Sequence, residues 1–165
     1  MKKIWVLMSA LALAFALAAC SNKTESEGSK EEKTVSKDDV KRSLVQYLSS
    51  ITKAINDNDV DLNAFEASEE KPTEEIKTAA SNSAAAVVDA LGSVKVPEEL
   101  KDQKSDLQAA TKDVIASYQA KADELKKPAP SLDAANATLA QAEEKFGTIF
   151  KEAELLKPSI STSVQ

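Results

Sequence analysis

The chain has 165 residues and a formal net charge of −6, with 21 basic and 27 acidic side chains. It contains no histidine, one cysteine and three glycines, which argues against histidine-dependent catalysis, Cys/His zinc sites and Gly-rich phosphate loops, so we expect neither an enzyme nor a bound cofactor. The acidic balance also argues against nucleic acid as a partner, because that affinity depends on Lys and Arg neutralising phosphates.

The first segment has the pattern of a secretory signal. Lys2 and Lys3 precede an apolar run over residues 4–17, which as a helix would rise roughly 21 Å at about 1.5 Å per residue. That is shorter than the roughly 30 Å hydrocarbon core of a bilayer. We therefore predict that residues 1–19 are a signal peptide and take no part in the fold.

The apolar run stops at Leu17-Ala18-Ala19-Cys20. This stretch resembles the lipobox of bacterial lipoproteins, in which the cysteine thiol receives a diacylglyceryl group and the preceding peptide bond is cut. The resemblance implies cleavage between Ala19 and Cys20, and Cys20 as the lipid attachment point. Two acyl chains suffice for stable anchoring, at about 0.8 kcal/mol per buried methylene. The alternative is an ordinary signal peptide with a free thiol at Cys20.

The lipobox resemblance also implies a location. The protein would be held in the cell membrane, on its extracytoplasmic face, or in the outer membrane if the source is Gram-negative. Residues 21–37 are rich in Ser, Glu and Lys with one apolar side chain, Val35, so we predict that residues 20–37 are the lipidated cysteine and a disordered tether. Once Lys2 and Lys3 leave with the signal the charge is −8, so we expect the domain to stand off an anionic bilayer.

Two predicted helices lie on either side of an acidic stretch. Ser36 and Asp39 have the spacing of an N-terminal capping box, with Asp in place of Glu. The apolar face that follows consists of Val40, Leu44, Tyr47, Leu48, Ile51 and Ile55. The second helix is predicted to begin near Pro72 and to end at Gly92. Its inward face is Ile76, Ala80, Ser83, Val87 and Leu91.

Two further helices follow. The third is predicted to begin with Pro97 as its first helical residue and to end near Lys126 and Lys127. Its apolar face is Leu100, Leu107, Val114, Tyr118 and Leu125. The fourth has the longest periodic pattern and is closed by Pro158. Its face is Leu132, Ala135, Leu139, Ala142, Phe146, Ile149, Ala153 and Leu156.

Short connections at 92–96 and 128–131 favour antiparallel neighbours. The sequence therefore predicts an all-α fold, an up-down antiparallel bundle of four helices over residues 38–157. About 120 residues suffice for a single compact core. Residues 158–165 are left as a C-terminal tail.

The acidic stretch between the first two helices holds a candidate metal site. Asp57, Asp59 and Asp61 have the one-three-five spacing of a calcium loop. An EF-hand also needs glycine at the sixth position and glutamate at the twelfth, where this chain has Leu62 and Ser68. A solvated acidic connection is therefore favoured, and a non-EF calcium site is left as the alternative.

A possible partner contact is Phe150. It lies one turn beyond Phe146 but off the strict heptad, so it completes a wide core face or is exposed for a partner, and the core is favoured. Gly147 between them allows close approach of a neighbouring helix or of a partner.

A longer segment, at residues 93–118, reads SVKVPEELKDQKSDLQAATKDVIASY. It resembles an element of small helical lipoproteins of Gram-positive bacteria, which implies a location and a fold class without an activity. We therefore expect a non-enzymatic, membrane-anchored lipoprotein that displays an acidic helical domain at the cell envelope and interacts with a protein or an envelope polymer. The alternative is a ligand- or calcium-binding envelope lipoprotein.

Overall fold

The computed structural model describes residues 35–69 and 71–161. They belong to one compact unit of the chain, Thr34–Gln165. The predicted signal peptide at 1–19 and the predicted tether up to residue 34 lie outside the described residues, as do residues 162–165.

The described part of the chain is all-helical, which confirms the predicted fold class. It has five α-helices and no strand: α1 (Lys37–Asn56), α2 (Val60–Ala67), α3 (Glu74–Gly92), α4 (Lys104–Glu124) and α5 (Asp133–Glu152), with a 3₁₀ turn at Glu98–Leu100. The prediction of four helices was wrong, because the acidic stretch predicted as a connection contains α2. None of these helices combines the length and apolar character that crossing a bilayer requires.

Helix α1 begins where its sequence predicts. The Ser36 hydroxyl oxygen accepts a hydrogen bond from the Asp39 backbone N–H at 3.1 Å and donates one to the Asp39 carboxylate at 2.6 Å. This satisfies one of the free N–H groups at the helix start. The core side of α1 is also confirmed, with buried side chains at Leu44, Tyr47, Ile51 and Ile55.

Helix α3 has a different inward face from the predicted one at its first turn. Ile76 is 44% exposed, whereas Lys77 is buried. Lys77 Nζ donates to the backbone carbonyl of Lys127 at 3.2 Å and lies 2.7 Å from the Glu74 carboxylate, so the buried ammonium has two partners. Gly92 is the last residue of α3, as predicted, and its φ is not positive, so the helix ends there without a left-handed glycine.

Helix α4 begins later than predicted. Pro97 has ψ 152°, an extended conformation, and precedes the 3₁₀ turn rather than opening the helix. The predicted apolar face is nevertheless confirmed along its length, because Leu100, Leu107, Val114, Tyr118 and Leu125 are all buried.

Helix α5 ends earlier than predicted, and the reason is local. Glu154 has φ 57°, in the left-handed region, and the N–H of Leu155 donates to the carbonyl of Phe150 at 2.8 Å. With the Glu154 N–H on the Lys151 carbonyl at 2.9 Å, this is a Schellman motif. Leu156, predicted to extend the apolar face, lies beyond the motif and is 92% exposed.

After α5 the chain folds back onto the helices at residues 157–161, which we call the returning segment. Ile160 is fully buried, and the Ser161 N–H donates to the Glu143 carboxylate at 2.6 Å. A Cβ atom added at Gly147 would lie 2.9 Å from Lys157 Cγ. The close neighbour of Gly147 is therefore this returning segment.

The helices are joined by small polar side chains as well as by apolar contacts. α1 contacts α3 and the 3₁₀ turn, α2 lies on α3, and α4 contacts both α3 and α5. Two buried serine hydroxyls donate to carbonyls of neighbouring helical segments, Ser81 to Ala122 and Ser117 to Ala135, each at 2.7 Å. These bonds satisfy the buried hydroxyls, and small serine side chains let neighbouring helices approach closely.

Candidate functional site

The structure describes some of the predicted site residues and not others. Ala19 and Cys20 lie outside the described residues, so lipidation there stays a prediction. Phe150 is 4% exposed and belongs to the hydrophobic core. Of the two alternatives for Phe150, the core is therefore the one observed, and an exposed partner contact there is not.

The three aspartates with calcium-loop spacing do not converge. Asp57 follows α1 at the surface, where its carboxylate pairs with Lys53 Nζ at 2.6 Å. Asp61 is exposed in the first turn of α2, while Asp59 is fully buried. Among the described residues, no three acidic side chains are placed to hold a metal ion.

Asp59 is buried because hydrogen bonds hold the start of α2 against α3. The Ser83 hydroxyl of α3 donates to the Asn58 carbonyl at 2.6 Å and accepts from the Leu62 N–H at 3.4 Å. Leu62 is the buried apolar residue of α2. These contacts hold both sides of the turn that contains Asp59 against α3.

The Asp59 carboxylate is buried and lacks a well-formed hydrogen bond. Within the described residues neither of its oxygens makes a hydrogen bond, and the Asn63 Nδ2 atom is buried and unpaired as well. Burial raises the pKa of Asp59, and the negative charge of Glu66 raises it further. The nearby Asn63 amide, the backbone of Asp59 itself and the positive charge of Lys121 lower the pKa. A buried carboxylate that lacks well-formed hydrogen bonds costs free energy.

A buried lysine lies beside this acid. Lys121 of α4 is 4% exposed, and its Nζ atom lies 2.7 Å from the Glu66 carboxylate of α2. The same ammonium lies 5.2 Å from the centroid of the Tyr118 ring, within the range of a cation–π interaction. Lys121 thus links α2 to α4 and is itself compensated.

Tyr118 completes the buried polar group. It is 2% exposed, and no hydrogen bond of its hydroxyl to another described residue is found. Burial, followed by the negative charges of Asp59 and Glu66, raises the pKa of Tyr118 far above its usual value. The hydroxyl therefore stays protonated and can donate a hydrogen bond.

These side chains border an open groove between α2, α4, α5 and the returning segment, which we call the α2 groove. Its volume is about 410 Å³, within the roughly 300–1,000 Å³ of typical small-molecule sites. Leu139 and Ala140 give it an apolar wall. Its polar lining includes Asn63, Glu66, Tyr118, Lys121, Asn136 and Glu143.

No protein-family model matches the chain, and comparison with curated proteins and with solved structures finds no match either.

One feature of the sequence, a lysine on a predicted inward helix face, indicated part of this groove. Lys121 follows Tyr118 by three residues, so the two share a face of α4, and that face was predicted to be inward. A lysine on an inward face needs an acidic partner. The partner, Glu66, comes from α2, which was not predicted.

Proposed function

We propose that this protein is a non-enzymatic lipoprotein, held at the extracytoplasmic face of the cell membrane by acyl chains on Cys20. It displays an acidic all-helical domain that binds an envelope protein or polymer. The observation that carries this proposal is the Leu17-Ala18-Ala19-Cys20 stretch at the junction of an apolar run and a polar tract. The all-helical domain beyond that tract is compatible with such display.

We further infer that the long helices α1, α3, α4 and α5 follow the up-down antiparallel order, with α2 added at one side. Two contacts between α3 and the end of α4 support this. Lys77 bonds to Lys127, whereas Ser81, one turn later in α3, bonds to Ala122, which comes earlier in the chain. Such opposed progression is characteristic of an antiparallel pair.

The anchoring proposal is tested by Cys20→Ala in cells that express the full chain. Wild-type protein is expected in the membrane fraction and to incorporate a labelled fatty acid, whereas the variant incorporates none. Ser21→Ala, a matched change at the next residue, should behave as the wild type. If wild type and Cys20→Ala incorporate equal label, or none, the proposal is wrong.

The second candidate function is binding of a small ligand in the α2 groove. The observation that favours it is the cluster of buried polar side chains around an open cavity: Tyr118 and Lys121 in the lining, with Asp59 close by. Calcium binding, the other form of this candidate, lacks such support, because among the described residues no three acidic side chains are placed to hold a metal ion.

A thermal-shift screen tests the ligand-binding candidate. Amines, sugars, peptides and calcium are added to the wild type and to Ala140→Trp, which fills the groove. Ala137→Trp, at an exposed position of α5 outside the groove lining, is the matched control. A ligand of the groove raises the Tm of the wild type and of Ala137→Trp only. If no compound gives this pattern, the candidate fails.

A further inference from the structure

The charged side chains around the α2 groove indicate the charge of a ligand that would bind there. Glu66 and Glu143 line it, and the Asp59 charge is close enough to act on Tyr118. Among the described lining residues the one cation, Lys121, is already paired with Glu66, so the excess negative charge comes from Glu143, which accepts from the Ser161 N–H, and from the nearby Asp59. The groove is therefore electronegative, and a ligand that complements it carries a positive charge.

The polar groups that line the α2 groove indicate which hydrogen-bonding groups the ligand carries. The Tyr118 hydroxyl and the Asn63 Nδ2 atom line the groove, and neither makes a well-formed hydrogen bond to a described residue, although the Asn63 amide also lies near Asp59. Asn136 adds a second amide to the lining. Amides and a phenol both donate and accept, which suits alcohol hydroxyls better than a carboxylate or a second ammonium.

The apolar wall and the volume of the α2 groove limit the size of the ligand. Leu139 and Ala140 cover one side, where carbon atoms of a ligand would lie, and about 410 Å³ leaves room for a small molecule and not for a folded domain.

We propose that the α2 groove binds a small hydroxylated amine of amino-sugar size. Its ammonium lies by Glu66, and its alcohol groups are bonded by the Tyr118 hydroxyl, Asn63 and Asn136. Asp59 does not line the groove; it strengthens binding by adding negative charge beside Tyr118. This inference rests on the ligand-binding candidate above and names the ligand class for that site.

The test compares three probes that share one ring. Glucosamine, at a pH where its amine is charged, is titrated by calorimetry into the full-length protein extracted in mild detergent. Glucose and N-acetylglucosamine, both neutral, are the matched probes. We expect heat of binding with glucosamine and at least about tenfold weaker binding of the neutral sugars, since a charge-assisted hydrogen bond is lost.

Variants locate the site. Tyr118→Phe removes only the hydroxyl, and Asp59→Asn removes the charge with little change of shape; each should weaken glucosamine binding at least about threefold. Asp61→Asn makes the same charge change at an exposed position and should leave binding unchanged. Circular dichroism melts of every variant show that the comparison is between folded proteins.

Three outcomes would overturn the inference: no binding of glucosamine, equal binding of a neutral sugar, or binding that neither Tyr118→Phe nor Asp59→Asn affects. Equal binding of a neutral sugar that Ala140→Trp abolishes would leave the ligand-binding candidate intact and refute only the ligand class. Membrane anchoring is measured separately through Cys20.

Discussion

Replacing Asp59 with asparagine should stabilise the protein. The residue is fully buried, and neither carboxylate oxygen has a hydrogen-bond partner among the described residues. Asparagine has nearly the same shape and carries no charge, so the substitution removes the cost of burying a carboxylate that lacks well-formed hydrogen bonds. It also keeps a residue type that is favoured at the position before a helix, where Asp59 stands relative to α2.

The gain should depend on pH, with a sign that follows from the raised pKa of Asp59. Between its unfolded value, about 3.9, and its higher folded value, the folded protein binds more protons than the unfolded one, so the free energy of unfolding falls as the pH rises. Below that window the acid is neutral in both states. The advantage of Asp59→Asn should therefore grow from near zero in acid to about 1–3 kcal/mol at neutral pH.

Other acids titrate in the opposite sense. Hydrogen bonds from Gln119 and Lys126 lower the pKa of Asp123, and Lys41 lowers the pKa of Glu154. Their contribution is present above the unfolded pKa and is lost as the pH falls through the lower folded pKa. Because they occur in wild type and variant alike, they cancel in the difference between the two proteins.

Urea unfolding of wild type and Asp59→Asn at several pH values between about 3 and 8 measures this difference. Asp61→Asn is the control, since its exposed carboxylate in the first turn of α2 should give no gain when removed. A variant that is less stable than wild type at neutral pH, or an advantage that is the same at every pH, would refute the reasoning.

Three further predictions concern the ends of the domain. Ile160→Ala should cost about 2–5 kcal/mol of unfolding free energy because the side chain is fully buried, whereas Leu156→Ala, at a 92% exposed position, should change it by less than about 0.5 kcal/mol; equal effects in denaturant melts would mean that the returning segment is not docked. Glu154→Gly should melt a few degrees above Glu154→Ala, since both lose the Lys41 pair and only glycine relieves the left-handed φ; the same Tm for both would contradict this. Ser36→Ala should lose about 1 kcal/mol through the missing N-cap bond, and Ser36→Asp should restore most of it.

Apolar periodicity predicted the parts of this fold that bury apolar side chains over several turns. The inward residues of α1 and α4, such as Leu44, Ile51, Leu107 and Val114, are buried as expected. Helix α2 was not predicted because eight residues with one buried side chain, Leu62, give no repeat to detect. The returning segment was missed for the same reason, since Ile160 stands alone after Pro158.

The α2 groove could not be predicted because its polar residues are defined by partners distant in the chain. Lys121 is buried only because Glu66 reaches it from α2. Asp59 was predicted to lie in a solvated acidic connection, which was wrong, because the contacts of α2 with α3 bury it. The spacing of Asp57, Asp59 and Asp61 suggested one site, whereas in the structure Asp57 and Asp61 are exposed and Asp59 is buried.

The central claim, that the protein is fixed to a membrane by lipid on one cysteine, is tested most directly by intact-mass and N-terminal peptide mass spectrometry of the protein purified from its own cells. We predict a chain that begins at Cys20 and carries the mass of a diacylglyceryl group on that residue. A chain that begins elsewhere, or that begins at Cys20 with an unmodified thiol, would contradict the account.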